Sequence, residues 1–267
     1  MDTSLALLAA VAGVFFASTL TRSTFGFGDA LVAMPLLSIV IGFDAARPLG
    51  ALVSVYTAVL IVARDWRQID VRSAWRLVLA GLVGLLIGEF ALMLVDARWA
   101  QLALAGCLFA FALYSVVRPT LAHHIADGWA WLAGACAGVL GIAFNMHGPP
   151  LVIFGTLRGW PAKTFRATLQ GYFLPVGTIV MLRHALGGAY QGSLLWMCLV
   201  ALPGVTLAVP LGRALNARLG GPRFARLVYV LLMAIAVLLF TTTLRNWRQD
   251  APAESAAQRA TAASHCS

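Results

Sequence analysis

The chain has 267 residues, of which 61% are hydrophobic and only 11% charged, and its mean hydropathy is +0.86. These values exclude a water-soluble fold, because too few polar side chains are present to cover a surface in water. The net charge of +9 comes almost wholly from arginines, which lie between apolar segments rather than in one block. This distribution indicates a membrane topology and argues against nucleic acid as a partner.

The first apolar segment, at about 4–41, is almost twice as long as one helix needs to cross a hydrocarbon core of about 30 Å. Polar residues and glycines interrupt it at 21–29, so two helical pieces are predicted to meet there. Full membrane spans are predicted to follow at about 48–63, 77–95 and 99–117.

The second half of the sequence repeats the order of the first. Apolar residues 129–144 lead into a polar break at 145–150 and a short piece at 151–157, and spans follow at about 164–182, 193–212 and 224–244. The pattern Gly28-x-x-Leu31 recurs as Gly148-x-x-Leu151. We therefore predict an all-α polytopic membrane protein of about eight transmembrane helices, built from duplicated halves. The predicted parts are a first repeat at 1–118, a central loop at 119–127, a second repeat at 128–244 and a disordered tail at 245–267.

The arginines and the single lysine indicate how the chain crosses the membrane. If each interrupted segment crosses once, nine positive residues fall on either side, and no orientation is preferred. If each is a re-entrant hairpin that returns to its starting side, twelve fall on one side and six on the other. The positive-inside rule then places the twelve in the cytoplasm and both termini outside. Three spans and one hairpin per half also make the two repeats inverted, which is typical of secondary transporters.

The two breaks are the predicted substrate site. Irregular backbone at membrane depth persists only inside protein or beside a water-filled cavity. A half-helix is predicted to begin at each break, after Gly28 and after Gly148, and helix N-termini that converge from opposite sides favour an anion. The predicted substrate-binding residues are those of the breaks and one on a following helix: Arg22, Ser23, Thr24, Gly26, Gly28, Asn145, His147, Gly148 and Gln170.

Charged and titratable residues at membrane depth have two interpretations each. Arg22 either binds the substrate anion or is held in an ion pair with Asp29 or at the interface. Asp29 either caps the half-helix that follows Gly28 or takes up protons. Glu89 either has a function, as a proton carrier or a counter-ion, or lies close enough to the membrane face to be wet, and His147 either titrates near neutral pH or packs. We name Asp29, Glu89 and His147 as the proton-coupling candidates.

Other polar residues lie on the helices that follow the breaks, where they either line the same cavity or form bonds between helices: Ser54, Tyr56, Thr168 and Tyr172. The spacing of Gly81, Gly84 and Gly88 predicts a surface for close helix packing. The sequence has no HExxH, GxSxG, Walker or paired metal-ligand motif, so no catalytic residue, metal or cofactor is predicted. A membrane-embedded enzyme or assembly factor is the alternative to a transporter.

The sequence resembles the TauE/SafE family of sulfite and organosulfonate exporters over about residues 5–244. The resemblance lies in the segment GFGDALVAMP at 26–35, followed by GFD at 42–44 and ALVS at 51–54, and in the second copy at 145–150 and 167–169. Both copies depart from the triple glycine that is usual in the family. The resemblance implies a multi-pass protein of the bacterial inner membrane that moves a small sulfur-containing or carboxylated anion, driven by the proton or charge gradient. Its implied partners are that anion and the lipid bilayer, and it leaves homo-oligomerisation open.

Overall fold

The computed structural model describes residues 4–94 and 125–219, together with positions 106, 109, 110, 113, 237 and 241. Within the two continuous ranges every regular element is a helix, as predicted, and no strand is present. The helices are α1 Leu5–Phe25, α2 Asp29–Ile41, α3 Phe43–Asp65, α4 Val71–Leu94, α5 Trp129–Phe144, α6 Gly148–Leu157, α7 Ala162–Leu186 and α8 Ser193–Leu219, with a short 3-10 turn at Trp66–Gln68. The spans predicted at about 99–117 and 224–244, most of the predicted central loop and the predicted tail lie outside the described residues.

Several of these helices are apolar enough to cross a membrane. Within the described residues, four segments qualify by length and composition: Leu5–Phe25, Phe43–Gln68, Val71–Ala91 and Ser193–Leu215. The helices α2, α5 and α6 are apolar but shorter, and α7 is long but less apolar because it carries Lys163, Arg166, Gln170 and Arg183. Large hydrophobic side chains remain exposed on the outer faces, among them Leu86 and Phe90 of α4. This exposure suits a lipid environment, so the chain is a multi-pass membrane protein.

The first predicted break is present between α1 and α2. The helix α1 ends at Gly26, whose φ of +89° is left-handed and whose N–H donates to the Arg22 carbonyl at 2.6 Å. Gly28, with φ of +102°, then precedes the first residue of α2. Both positions need glycine, because a Cβ atom disfavours this backbone region.

The second predicted break is present between α5 and α6. Asn145 ends α5 with φ of +57°, and it is the single non-glycine residue with positive φ in the described part of the chain. Asparagine tolerates this conformation better than other side chains do. The helix α6 then begins at Gly148, and Pro149 and Pro150 occupy first-turn positions where a missing N–H costs no helical hydrogen bond.

Small residues allow two helix pairs to pack very closely, α4 against α5 and α1 against α8. A Cβ placed on Gly84 would lie 2.1 Å from the Ala135 carbonyl oxygen, and one placed on Gly138 would lie 2.1 Å from the Gly81 carbonyl oxygen. A Cβ on Gly212 of α8 would likewise lie 2.6 Å from Cβ of Ser23. The predicted packing role of the Gly81, Gly84 and Gly88 spacing is therefore confirmed. The third close pair, α3 with α7, lies between these two.

An ion cluster joins the two ends of the α5–α6 pair. Asp127, just before α5, binds Arg158, just after α6, and also binds Arg76 at 2.9 Å and Arg72 at 3.6 Å from the start of α4. The beginning of α5 and the end of α6 therefore meet at one face of the helical bundle.

Candidate substrate site at the two helix breaks

Arg22 is the largest fully buried side chain of the described residues, with 0% of its surface exposed. Its Nη1 donates to the Asp29 carboxylate, to Ser54 Oγ at 2.7 Å and to the Ser54 carbonyl at 3.2 Å. Its Nε and Nη2 both donate to Gln170 Oε1, at 3.0 and 2.7 Å. The Phe173 ring lies 4.8 Å from the guanidinium carbon and adds a cation–π contact. The charge is thus neutralised by one acid and surrounded by acceptors, as burial of an arginine requires.

Gln170 connects this network to the first break. Besides accepting from Arg22, it donates through Nε2 to the Gly26 carbonyl at 2.8 Å, and it is fully buried on α7. A residue of the second half of the chain therefore holds both the charge and the backbone of the break in the first half.

The two breaks lie side by side. A Cβ placed on Gly148, the first residue of α6, would lie 3.9 Å from Phe27 Cβ in the first break. One cavity is lined by residues of both breaks, among them Asp29 and Asn145, together with Ser54 of α3. Asp29 and Ser54 also bind Arg22, so a group that enters this cavity meets them before the guanidinium.

The cavity is small. It offers about 10 Å³ to the centre of a water-sized sphere, which is about the room that one water molecule needs. A sulfonate or carboxylate group is larger than water, so its entry requires side chains or helices to move.

His147 is buried at the second break, and its ring lies 5.7 Å from that of Tyr172 and 6.1 Å from that of Phe173. Its Nδ1 lies 3.1 Å from the Ala137 carbonyl, while Nε2 has no hydrogen-bond partner among the residues described. Phe173 thus contacts both Arg22 of the first break and His147 of the second break.

Comparison with known proteins identifies the family of this helical arrangement. A family model described as "Sulfite exporter TauE/SafE" matches residues 9–239, which is most of the chain. The chain belongs to the TauE/SafE family. The resemblance inferred from the glycine-rich breaks is thereby confirmed, and the chain is a membrane transporter by this membership.

Two relatives carry names that describe transport. A protein of Cupriavidus necator named "Probable sulfite/organosulfonate exporter TauE" is 24% identical over 86% of this chain and 93% of its own length. A protein of Comamonas testosteroni named "Probable inner membrane transporter protein TsaS" is 27% identical over 69% of this chain and 77% of its own length. No solved structure matches the chain.

The structure of this TauE/SafE protein brings part of the predicted residue set together. Arg22, Asp29, Gly26 and Gln170 form one hydrogen-bonded network. Other predicted residues, Gly28, Asn145, His147 and Gly148, lie at the two adjacent breaks without a hydrogen bond to Arg22 in this network.

Ser23 and Thr24 face a different neighbour, since both lie against α8. Thr24 Oγ1 donates to the Leu20 carbonyl at 2.7 Å and to the Gly212 carbonyl at 3.3 Å. The hydroxyl of Ser23 is buried at the close contact with Gly212. Their contacts are those of helix packing, and their substrate-binding role stays a prediction.

The interpretations left open for Asp29, Glu89 and three polar residues are now separated by the contacts of these side chains. The capping interpretation of Asp29 is wrong, because the N-cap of α2 is Gly28 and the Asp29 carboxylate binds Arg22 instead. Glu89 lies outside both breaks, is 27% exposed and binds Arg183. Hydrogen bonds between helices or helix ends occur at three other positions: Tyr56 with Thr206, Thr168 with the Asp70 N–H, and Tyr172 with the Gly134 carbonyl.

Sequence reasoning missed Phe173 and assigned Ser54 no particular role. Ser54 and Gln170 occupy matching places in the two predicted copies, because each lies three residues after the alanine of an Ala-x-x-x-x-Tyr pattern, Ala51 to Tyr56 and Ala167 to Tyr172. That signal was present in the sequence, and it pointed to a common target for the two side chains. Phe173 gave no such signal, because an aromatic residue in an apolar helix is ordinarily part of the core.

Proposed function

We propose that this TauE/SafE protein is a secondary transporter of the bacterial inner membrane that moves a small anion, such as sulfite, an organosulfonate or a small carboxylate. The observation that carries the proposal is the fully buried Arg22, held where the two breaks meet and contacted from both halves of the chain. The names of the two relatives, an exporter of sulfite and organosulfonate and an inner-membrane transporter, agree with this substrate class and location.

We further propose that residues 1–118 and 128–244 are inverted repeats around a central loop at 119–127. The packing of the described helices supports this. The helix α1 of the first half packs against α8 of the second half. In the same way α5, the counterpart of α1, packs against α4, the counterpart of α8. The ion pair of Asp127 with Arg158 supports a hairpin that returns to its starting side. Inverted repeats give a transporter two related conformations, open to opposite sides of one central site.

The Arg22–Asp29 pair suggests how an anion binds. Each of the three guanidinium nitrogens of Arg22 already donates to an acceptor, and one acceptor is a carboxylate. An oxyanion of the substrate offers the same geometry as Asp29, so the substrate takes the place of Asp29 on Arg22. The two planar donors of the guanidinium suit a sulfonate, sulfite or carboxylate, whose oxygens accept two parallel hydrogen bonds.

This exchange also requires a proton. With Asp29 charged and a monovalent anion bound, the buried site carries one positive and two negative charges, which is costly at membrane depth. If Asp29 takes up a proton as it leaves Arg22, the site stays neutral before and after binding. One proton therefore accompanies one monovalent anion, and Asp29 is the proton carrier. Proton-coupling roles for Glu89 and His147 remain separate predictions, and neither side chain has a hydrogen bond to Arg22.

The test is a counterflow assay with the purified protein in liposomes. Liposomes loaded with unlabelled alkanesulfonate, sulfite or a small carboxylate should take up the labelled anion, whereas an uncharged sulfonamide of the same size should not exchange. Exchange should disappear in Arg22→Gln and persist in part in Arg22→Lys, which keeps the charge but loses the planar fork. Equal exchange of the neutral sulfonamide, or no exchange of any anion, would contradict the proposal.

A further inference from the structure

Two charge clusters lie at opposite ends of the α3–α7 pair. The first, which we call the inner cluster, consists of Asp65, Arg166 and Arg213. Asp65 ends α3 and accepts a hydrogen bond from Arg166 at 2.9 Å, near the start of α7, and from Arg213 at 2.7 Å, on α8. Three helices from both halves of the chain are thus joined at one carboxylate.

The second, which we call the outer cluster, consists of Glu89, Arg183 and Arg47. Glu89 of α4 accepts two hydrogen bonds from Arg183 near the end of α7, at 3.0 and 2.5 Å. Arg47, near the start of α3, lies within electrostatic range of both side chains and donates to the Ile142 carbonyl at 2.8 Å. About 18 residues of α3 separate Arg47 from Asp65, which corresponds to about 27 Å along the helix.

The two clusters correspond when the halves of the chain are exchanged. The inner cluster uses the end of α3, the start of α7 and α8, and the outer cluster uses the end of α7, the start of α3 and α4. Arg47 and Arg166 are each the fifth residue of their helix. Glu89 follows Gly88, which packs against α5, and Arg213 follows Gly212, which packs against α1. Among the described residues each cluster contains two arginines and one acid that binds an arginine, and Arg47 of the outer cluster also lies within electrostatic range of Asp44.

Each cluster also reaches one of the breaks. The Arg166 side chain packs on the first break, where a Cβ on Gly26 would lie 2.9 Å from Arg166 Cγ. The Arg47 guanidinium binds the last turn of α5, just before the second break. In both arginines the Nε atom is buried and has no hydrogen-bond partner within the described ranges. A movement of either cluster is therefore transmitted to the break that it touches.

We propose that the inner and outer clusters are the two gates of the transporter, which open alternately and admit the anion past their arginines. The inference rests on the proposed function, since it assigns the two access routes to that same central site. Breaking the inner cluster releases α8 and α7 from α3 and opens the site to the cytoplasm. Breaking the outer cluster releases α4 from α7 and opens the site to the other side.

The exposure of the two clusters suits gates of unequal strength. The Asp65 side chain is 12% exposed, whereas the Glu89 side chain of the outer cluster is 27% exposed. Exposed ion pairs contribute little, whereas more deeply buried ones are costly to break by removing one partner. The outer gate is therefore the weaker of the two, and the unloaded protein opens more often to the outside.

The experiment measures access to the central cavity with a single cysteine. Ala30 lines the cavity, is partly exposed and has no role in the clusters, so Ala30→Cys is introduced into a chain from which the four native cysteines are removed. The rate of modification by a membrane-impermeant thiol reagent is measured from outside in intact cells and from inside in inverted vesicles. This readout needs no substrate, so it separates the gates from the proposed transport activity.

Each gate variant should raise the rate from one side only. Glu89→Gln should raise modification from outside by about two- to fivefold, as expected for loss of an exposed ion pair. Asp65→Asn should raise modification from the cytoplasmic side by about tenfold or more, because it leaves two arginines facing each other at a more buried place. The matched control is Asp127→Asn, which breaks an ion cluster on the same face as the inner cluster but not a gate, and it should leave both rates unchanged.

Exchanging the two charges of the Glu89–Arg183 pair tests the outer gate even if a single variant folds poorly. The pair Glu89→Arg with Arg183→Glu restores an opposite-charge contact and should return the outside rate to that of the parent. Faster modification from the same side in both gate variants, or no change in either, would overturn the proposal. Correct gate responses in a protein that exchanges no anion would instead contradict only the proposed function.

Discussion

The two breaks perform the same backbone task with different residues. In the first break, two left-handed glycines separate α1 from α2, and the charged pair of Arg22 and Asp29 lies beside them. In the second break, a left-handed Asn145 and two prolines separate α5 from α6, and no charged residue is present in its 145–150 segment. A second buried arginine would add a second desolvation cost, whereas a neutral break can supply hydrogen bonds without one. Of the two breaks, only the first therefore carries a charged pair, and the second supplies neutral groups.

The largest expected effect distinguishes the charged break from the neutral one. Arg22→Gln should reduce the initial rate of anion transport about 100-fold, because losing one partner of a buried charge contact typically costs 2–5 kcal/mol. His147→Gln, the matched change at the neutral break, should reduce the rate by less than about fivefold, since a neutral hydrogen bond contributes about 1 kcal/mol. The rates are measured in liposomes with equal amounts of protein that elutes as a single peak. Equal losses in the two variants would show that the breaks share the anion equally.

The next effect concerns backbone strain at the breaks. Gly26→Ala should lower the free energy of unfolding by about 1–3 kcal/mol, because it forces a side chain into a left-handed conformation and against Arg166. Gly148→Ala should change stability by less than about 1 kcal/mol, since Gly148 has no positive φ and its nearest contact would be 3.9 Å away. Thermal unfolding in detergent measures both, with Gly13→Ala as a control at an open helical position. Similar losses at Gly26 and Gly148 would contradict the assigned geometry.

A smaller effect is expected at the left-handed residue of the second break. Asn145→Ala should destabilise the protein by about 1–2 kcal/mol, because alanine lacks the tolerance of asparagine for this conformation. Asn145→Gly should be nearly neutral, since glycine adopts the conformation freely. The difference between the two melting temperatures isolates the backbone contribution from the lost side chain. An alanine variant as stable as the glycine variant would show that the left-handed backbone at Asn145 does not disfavour a side chain, in contrast to that at Gly26.

The smallest effect lies at the open end of the α5–α6 pair. The hydrogen bond from Arg76 and the charges of Arg158 and Arg72 hold the pKa of the Asp127 carboxyl below its ordinary value. A lowered pKa in the folded protein gives stability that is present above the pKa of the unfolded chain, about 4, and is lost as the pH falls through the folded value. The melting temperature of the parent should therefore fall slightly more than that of Asp127→Asn between about pH 6 and pH 3. Parallel curves for the two proteins would contradict this contribution.

The sequence predicts the breaks well because their signals are local. Glycines and prolines inside an apolar run mark a helix end whatever the surrounding fold, and Asp29 follows Arg22 closely enough to be named as its partner. The orientation of Ser23 and Thr24 was not predictable, because α1 is apolar around most of its circumference and no stripe marks the inward face. The inner cluster was also beyond prediction, since 101 and 148 residues separate Asp65 from its two arginines. Such pairings depend on the packing of whole helices.

The central claim is that a monovalent anion replaces Asp29 on Arg22 while Asp29 takes up a proton. The most direct test measures uptake of a labelled alkanesulfonate, which stays charged at every pH used, into liposomes with either an imposed pH gradient or an imposed membrane potential. The parent protein should respond to the pH gradient and not to the potential, because one proton and one anion move together without net charge. Asp29→Asn cannot take up this proton, so its uptake should lose the response to pH and follow the potential, at about 2.3 kcal/mol per charge for each 100 mV. Uptake by the parent that ignores the pH gradient, or an unchanged pH response in Asp29→Asn, would contradict the claim.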